Sequence, residues 1–150
     1  MLTDLLLASL HHLLIFAIIA MLATEAALLR GRVEAGTIAR LAGVDLGYGL
    51  CAMSLLVVGY ARLRWGIKGM DFYLHNPWFH AKIGCFLLVG LLSIRPTLAF
   101  LRWRKALRAD PAFVPNAAQV TSLARLVRIE LALLAAIVVL AAMMARYGGF

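Results

Sequence analysis

Eight ionisable side chains lie inside stretches of sequence that are otherwise apolar. A charged group at the centre of a bilayer costs at least ~2.5–3.5 kcal/mol, so such residues normally face the interior of a helix bundle and serve a function there. Imidazoles ligate metals and exchange protons, and charges of both signs hold ionised ligands or one another. The eight residues are His11, His12, Glu25, Asp45, His80, Lys82, Arg95 and Glu130.

The elements that position these side chains are predicted to be four membrane-spanning helices. The chain has 150 residues, of which 64% are hydrophobic and 15% are charged. That composition is far more apolar than the composition of a soluble domain. A helix needs ~20 apolar residues to cross a bilayer. Four runs reach that length, at about residues 5–29, 41–63, 78–101 and 126–145. We therefore predict an all-α membrane protein, in which residues 1–150 form one four-helix transmembrane bundle.

Local signals predict where two of the helices start. Asn76 followed by Pro77 supplies an N-cap and a proline at the first helical position, where the missing N–H costs nothing. Asn116 and Gln119 have the spacing of a capping box, so the fourth helix is expected to begin before it enters the bilayer. The aromatic connection at residues 64–76 is interpreted as an interfacial anchor or as a lid over a site between the helices.

Basic residues predict the orientation of the bundle. Nine of them lie in or beside the connections after the first and third spans, and four lie on the other side. The positive-inside rule places those two connections in the cytoplasm and both termini outside. Because basic residues at span ends meet lipid headgroups, the formal charge of +8 does not indicate nucleic-acid binding. We expect a multi-pass protein of the bacterial inner (cytoplasmic) membrane whose first span is an uncleaved helix.

Depth in the membrane divides the ionisable residues into two groups. A rise of ~1.5 Å per residue places one group in the outer leaflet: it comprises His11, His12, His80 and Lys82. The other group lies toward the cytoplasmic ends of the four helices: it comprises Glu25, Asp45, Arg95 and Glu130. We predict that this second group forms a buried charge cluster, in which Arg95 neutralises one of the carboxylates.

Helical phase refines which of these side chains face inward. His11 shares a stripe of the first helix with Glu25, so His11 is a better candidate than His12 for the bundle interior. On the third helix, His80 and Lys82 point about 200° apart, so only one of them can face a central site squarely. The second helix carries a stripe of small residues next to Asp45, which allows close packing or leaves space for a flat ligand.

Histidines on facing helices, among small and apolar side chains, meet the needs of a membrane-bound haem b. Neutral imidazole ligates the iron, and nearby cations hold the propionates. His11 or His12 would pair with His80 as iron ligands. Lys82, Arg62 and Arg64 lie at a depth where they would meet the carboxylates.

A metal ion without haem is the alternative site chemistry. Imidazole is a common ligand of transition metals, and the chain places several imidazoles at a similar depth. The candidate metal ligands are His11, His12 and His80, with His75 nearby.

Several segments resemble one family along nearly the whole chain. They are His11-His12-Leu13-Leu14, Tyr73-Leu74-His75-Asn76-Pro77-Trp78-Phe79-His80-Ala81-Lys82, Arg95-Pro96-Thr97 and Phe100-Leu101-Arg102-Trp103-Arg104. These segments look like the DUF2214 family, bacterial four-span membrane proteins. The resemblance implies the four-span fold and does not imply an activity.

The histidine early in the first helix and the segment Trp78-Phe79-His80-Ala81-Lys82 also resemble the HemJ-type protoporphyrinogen oxidases. Those are small four-span proteins that bind haem b. In that family a first-helix histidine and a third-helix lysine are essential. The resemblance implies that His11 or His12, together with Lys82, has a catalytic role, and that His80 matches a histidine found two residues before the lysine.

The sequence thus favours an integral membrane protein that binds haem b or a related tetrapyrrole in its outer half. Its activity would be porphyrinogen oxidation or electron transfer to a quinone-linked acceptor, with His11 and Lys82 as candidate catalytic residues. One alternative is an accessory subunit or assembly factor of a larger membrane complex or homo-oligomer. Another is a proton or ion pathway through His11, Glu25, Asp45 and Glu130.

Overall fold

The structure is a computed structural model that describes residues 2–66 and 69–147. The described residues form four long helices and one short helix. They are α1 (Leu2–Leu28), α2 (Ala35–Trp65), α3 (Gly69–Leu74), α4 (Pro77–Ala109) and α5 (Ala117–Tyr147). The four long helices are each long and apolar enough to cross a membrane. The prediction of an all-helical four-span bundle is confirmed, and the short helix α3 was not predicted.

The long helices extend beyond the apolar runs that predicted them. The helix α4 has 33 residues, which at 1.5 Å per residue is about 50 Å, against about 30 Å of hydrocarbon in a bilayer. It continues past the apolar run because its last two turns are rich in arginine, lysine, alanine and leucine, which are good helix formers. The helices therefore protrude from the hydrocarbon layer, where their charged ends meet water and headgroups.

Capping side chains set the starts of α4 and α5. The side chain of Asn76 accepts a hydrogen bond from the Trp78 backbone N–H at 3.0 Å, and Pro77 follows as the first helical residue, as predicted. Asn116 accepts from the backbone N–H of Ala118 at 2.8 Å. Gln119 does not close a capping box. Its side-chain oxygen accepts from Trp103 Nε1 at 3.1 Å, which ties the start of α5 to α4.

The four long helices form a ring in which each packs against two neighbours. The helix α1 contacts α2 and α5, and α4 contacts α5 and α2, while α3 bridges α2 and α4. We call the end that holds α3, the start of α1 and the end of α5 the terminal end. The opposite end, which holds the connections α1–α2 and α4–α5, is the loop end. In the orientation predicted from charge, the terminal end faces outside.

The most completely buried side chains lie toward the loop end. Ile38, Leu41 and Val127 are fully buried there, and the ring of Phe100 packs on that of Trp103 with centroids 5.7 Å apart. Large apolar side chains also cover the outside of the bundle over most of its length. In water such a surface would aggregate, and in a bilayer it contacts lipid. The protein is therefore embedded in a membrane and crosses it several times.

The orientation can be tested by labelling single cysteines. Cys51 and Cys85 are first replaced, and a cysteine is then introduced at Met70 in α3 or at Ala109 at the end of α4, both exposed. In intact spheroplasts, a membrane-impermeant maleimide should label position 70 and leave position 109 unlabelled until the membrane is opened. The reverse pattern would place the terminal end in the cytoplasm.

Candidate functional site

Three side chains from three helices converge near the terminal end of the bundle. They are His11 on α1, Arg62 on α2 and Lys82 on α4, and all three are half-buried. The charges of Arg62 and Lys82 both act on the His11 ring, and the charge of Arg62 acts on Lys82. We call these three residues the outer cation cluster.

Backbone geometry brings His11 against α2. A Cβ atom at Gly59 would lie 3.6 Å from His11 Cε1, so the imidazole packs over a helix surface that has no side chain at that point. His11 Nδ1 is buried, and it has no hydrogen-bond partner among the described residues. Arg62 Nε is also buried and has no hydrogen-bond partner among the described residues. A buried polar group without a partner costs about 1–3 kcal/mol, so the burial of these two atoms is unfavourable unless another group compensates them.

The surroundings of Lys82 keep its ammonium near the cluster. Its Nζ lies 5.4 Å from the centre of the Phe79 ring, which is buried in the first turn of α4. The same end of the bundle holds Asp4, whose Oδ1 lies 3.4 Å from where a Cβ of Gly66 would be. Arg62 and Lys82 bring two positive charges to the cluster, and such a pair suits an anionic group.

An apolar cleft opens between the middle parts of α2 and α4, and the three residues of the outer cation cluster lie beyond its lining, toward the terminal end. Its volume is about 270 Å³, and small residues on both helices leave the space open. The lining residue Phe86 lies one helical turn from Lys82, about 6 Å along the axis, and the lining residue Ile18 lies two turns, about 10 Å, from His11. The lining residues are Ile18, Tyr48, Gly49, Ala52, Met53, Leu56, Phe86, Val89, Gly90, Ser93, Thr97 and Leu134.

The other predicted ligands do not face this site. His12 is exposed, and its Nδ1 lies 2.6 Å from the carbonyl oxygen of Ala8. His80 is exposed, with its Nε2 2.8 Å from the carbonyl oxygen of Leu74. The predicted pairing of two interior histidines from facing helices is therefore not formed, because the rotation of α4 turns Lys82 inward and His80 outward. Arg64 is also exposed and stands apart from Arg62.

The predicted metal site is not supported by the positions of the histidines. Besides His12 and His80, the exposed His75 has its Nδ1 3.0 Å from the carbonyl oxygen of Asp71. Within residues 2–66 and 69–147, no group of three or more His, Cys, Asp or Glu side chains is arranged to hold a metal ion. His11 is left as the one imidazole that faces the bundle interior in this part of the chain.

The predicted inner charge cluster is present only in its acidic part. Glu25 and Glu130 are 1% and 0% exposed and Asp45 is 7% exposed, and the three carboxyl groups act on one another electrostatically. Arg95 does not join them, so that part of the prediction was wrong. Arg95 is exposed on the stripe of α4 that also carries His80, and it lies beside Arg102 and Gln119 in a surface depression between α4 and α5.

Two hydroxyl groups that sequence analysis did not single out connect this acidic cluster to the cleft. The Tyr48 hydroxyl donates to Glu130 Oε2 at 3.4 Å, and the Thr97 hydroxyl donates to Asp45 Oδ1 at 2.8 Å. Both side chains also line the cleft. Tyr48 lies one turn after Asp45 on the same face of α2, which is a signal that sequence periodicity contains. The contact of Thr97 depends on how α4 packs against α2.

The fold and these two polar clusters define a small four-helix integral membrane protein. The family described as "Predicted membrane protein (DUF2214)" matches residues 3–149. The chain therefore belongs to the DUF2214 family. No curated protein and no solved structure matches the chain.

Proposed function

We propose that the protein binds an amphipathic ligand of the tetrapyrrole class in the half of the bundle nearest the terminal end. Haem b is the representative ligand. The flat apolar body would occupy the cleft between α2 and α4, and the ionised carboxylates would meet the outer cation cluster. A macrocycle with propionate groups requires both environments, because its ring must be shielded from water and its carboxylates need positive charges nearby.

The observation that carries the proposal is the outer cation cluster beside the cleft. Arg62 and Lys82 are half-buried cations, and positive charge at membrane depth is costly unless it is compensated. An anionic ligand group would compensate them, and charge-assisted hydrogen bonds from arginine and lysine to a carboxylate are among the strongest available.

Because His11 is the one interior imidazole of the described residues, haem b would have one protein ligand here rather than two. His11 would supply an imidazole to the iron, as the proximal histidine does in proteins with a single axial histidine. Arg62 and Lys82 would hold the propionates, and the small residues Gly49 and Gly90 would admit the ring. When bound, haem b would supply one-electron redox chemistry suited to porphyrinogen oxidation or to electron transfer toward a quinone-linked acceptor. The protein would act in a bacterial inner membrane, with His11 and Lys82 as its catalytic candidates.

A pyridine haemochrome assay tests the proposal directly. Protein expressed with an ample supply of haem and purified in detergent should carry haem b. In the variant His11→Ala, the Soret band should shift and become weaker than in the wild type, because the only interior imidazole of the described residues is removed. The variant His12→Ala is the matched control and should keep the wild-type spectrum, since His12 is exposed and bonded to its own helix.

Metal-free protoporphyrin separates binding of the macrocycle from ligation of the iron. If His11 ligates iron, His11→Ala should weaken binding of haem b but leave protoporphyrin affinity, measured by fluorescence titration, within about 2-fold of the wild type. Failure of the wild type to bind either tetrapyrrole would eliminate the proposed function.

A further inference from the structure

The buried carboxyl groups of Glu25, Asp45 and Glu130 are not used by the proposed tetrapyrrole site. They come from α1, α2 and α5, and the cleft-lining residues Tyr48 and Thr97 donate hydrogen bonds to two of them. Glu25 Oε1 and Glu130 Oε1 are buried without a hydrogen-bond partner in the described part of the chain, and both side chains are at least nine-tenths buried. These two oxygens lie in the protein interior, so a hydrogen-bond donor or a positive charge must offset the cost of burying them.

Basic side chains do not compensate the cluster. Among residues 2–66 and 69–147, no arginine or lysine forms an ion pair with any of the three carboxyl groups. Arg95 on α4 is exposed, and the exposed Arg128 on α5 donates from Nε to the carbonyl oxygen of Ala124 at 3.1 Å. On α1, His11 lies on the same face as Glu25 but about 21 Å away along the axis.

A metal cation is also a poor compensating group. The described residues contain no set of three His, Cys, Asp or Glu side chains placed to hold one, whereas hard cations need six or more oxygen ligands. A carboxylate at membrane depth is too costly to remain without a counter-charge. The proton is the cation that requires no coordination shell.

The surroundings of the cluster differ toward the two ends of the bundle. On the loop-end side of the cluster, a buried apolar side chain lies within one helical turn of it on α2, on α4, on α5 and just after the end of α1. These side chains are Leu29, Leu41, Phe100 and Val127. Toward the terminal end, α1 and α5 also place buried apolar side chains, Leu22 and Leu134, whereas α2 and α4 place the hydroxyl groups of Tyr48, Ser93 and Thr97, which line the cleft. Hydroxyl groups therefore lie on the cleft side of the cluster, and apolar side chains from all four long helices or their ends lie on the loop-end side.

Two hydrogen bonds connect the cluster to side chains that line the cleft. The Tyr48 hydroxyl donates to Glu130 Oε2 at 3.4 Å, whereas the Ser93 hydroxyl donates to the carbonyl oxygen of Gly90 on its own helix. Thr97 donates to Asp45. A hydroxyl group both donates and accepts, so it can pass a proton between a carboxyl group and a molecule in the cleft.

We propose that Glu25, Asp45 and Glu130 form a proton-binding site that exchanges protons with the cleft through Tyr48 and Thr97. The site would donate protons to, and accept protons from, a molecule held in the cleft. Its carboxyl groups are not part of the proposed tetrapyrrole site, although Tyr48 and Thr97 line the cleft that the macrocycle would occupy, and the proton-binding site can be observed without a bound ligand.

Infrared difference spectroscopy of the full-length protein in nanodiscs, without ligand, tests the proposal. The wild type should show the C=O stretching band of a protonated, buried carboxyl group, and the band should shift to lower frequency after transfer to D₂O. Glu130→Gln and, separately, Glu25→Gln should each remove part of that band. Glu34→Gln changes an exposed carboxyl group at the start of α2 and should leave the band unchanged.

The route is tested by the rate of hydrogen–deuterium exchange of the same band. Tyr48→Phe combined with Thr97→Val deletes both hydroxyl groups, and the exchange should slow by about 100-fold, which is at the lower end of what a positioned proton-transfer group contributes. Thr24→Val is the matched control, because the Thr24 hydroxyl donates to its own helix at Ala20, away from the cleft. It should exchange at the wild-type rate.

Several results would overturn the inference. A wild type without a protonated carboxyl band at any pH at which it is folded would show that the three groups are ionised. A band that depends on sodium concentration would show that a metal cation compensates them instead. Equal exchange rates in the double variant and the wild type would exclude the route through the cleft. If Glu130→Gln fails to fold, Glu25→Gln and the D₂O shift of the wild type still test whether a buried carboxyl group of the cluster is protonated.

Discussion

Lys82→Met is expected to weaken tetrapyrrole binding by about 10- to 150-fold while leaving the bundle folded. Methionine keeps the length and the apolar stem of lysine but removes the charge. A charged hydrogen bond to a ligand carboxylate contributes roughly 1.5–3 kcal/mol, which corresponds to that range of affinity. The stem would still pack beside the buried ring of Phe79, so the first turns of α4 should keep their structure.

The measurement is a titration of haem b, and in parallel of protoporphyrin, into the apoprotein. Arg64→Met is the matched control, because Arg64 lies at the same end of the bundle but is exposed. Its affinity should remain within about 2-fold of the wild type. Wild-type affinity in the Lys82 variant would mean that the ammonium only rests over Phe79, and that the outer cation cluster does not hold the ligand.

Phe100→Ala is expected to produce the largest loss of stability, about 3 kcal/mol. Phe100 is 1% exposed and packs against Trp103 where α4 meets α5. Replacing a buried phenylalanine by alanine costs about 3–5 kcal/mol in soluble proteins, partly through transfer from water and partly through the cavity that remains. In a membrane, lipid is as apolar as the core, so the cavity contributes most of the loss and the lower end of the range applies.

Unfolding by sodium dodecyl sulfate in mixed micelles, followed by circular dichroism, measures this loss. Phe16→Ala serves as the control, since Phe16 is 67% exposed on the outside of α1, where lipid fills the space that the ring leaves. The control should change the free energy of unfolding by less than about 0.5 kcal/mol. A similar loss in both variants would mean that Phe16 is also packed, and that the lipid-facing surface has been assigned wrongly.

The inner carboxyl groups show what membrane depth and helical periodicity can predict and what they cannot. Their depth in the sequence predicted that Glu25, Asp45 and Glu130 lie at a common level, and the structure buries all three. Depth also grouped Arg95 with them, although its stripe on α4 is exposed. Spacing along one helix fixes which residues share a face, but it does not fix which face meets the other helices.

For the outer residues, too, periodicity predicted which side chains share a face of one helix but not which face meets the other helices. Helical phase favoured His11 over His12, because His11 shares a stripe with the buried residues Ile18, Leu22 and Glu25. On α4, phase could only state that His80 and Lys82 point apart. The structure places Lys82 inward, and the cluster with Arg62 depends on that rotation. The hydroxyl contacts of Tyr48 and Thr97 likewise connect residues far apart in the chain.

The sequence by itself determined that the protein has four membrane-spanning helices and where α4 and α5 begin. Those properties follow from local quantities, namely the length of each apolar run, the side chain at each N-cap and the spacing of residues along one helix. Only the tertiary structure decided the rotation of each helix about its axis, and with it which polar groups meet. That rotation is set by packing between helices, as where Trp103 on α4 donates to Gln119 on α5, and such packing depends on side chains from several segments at once.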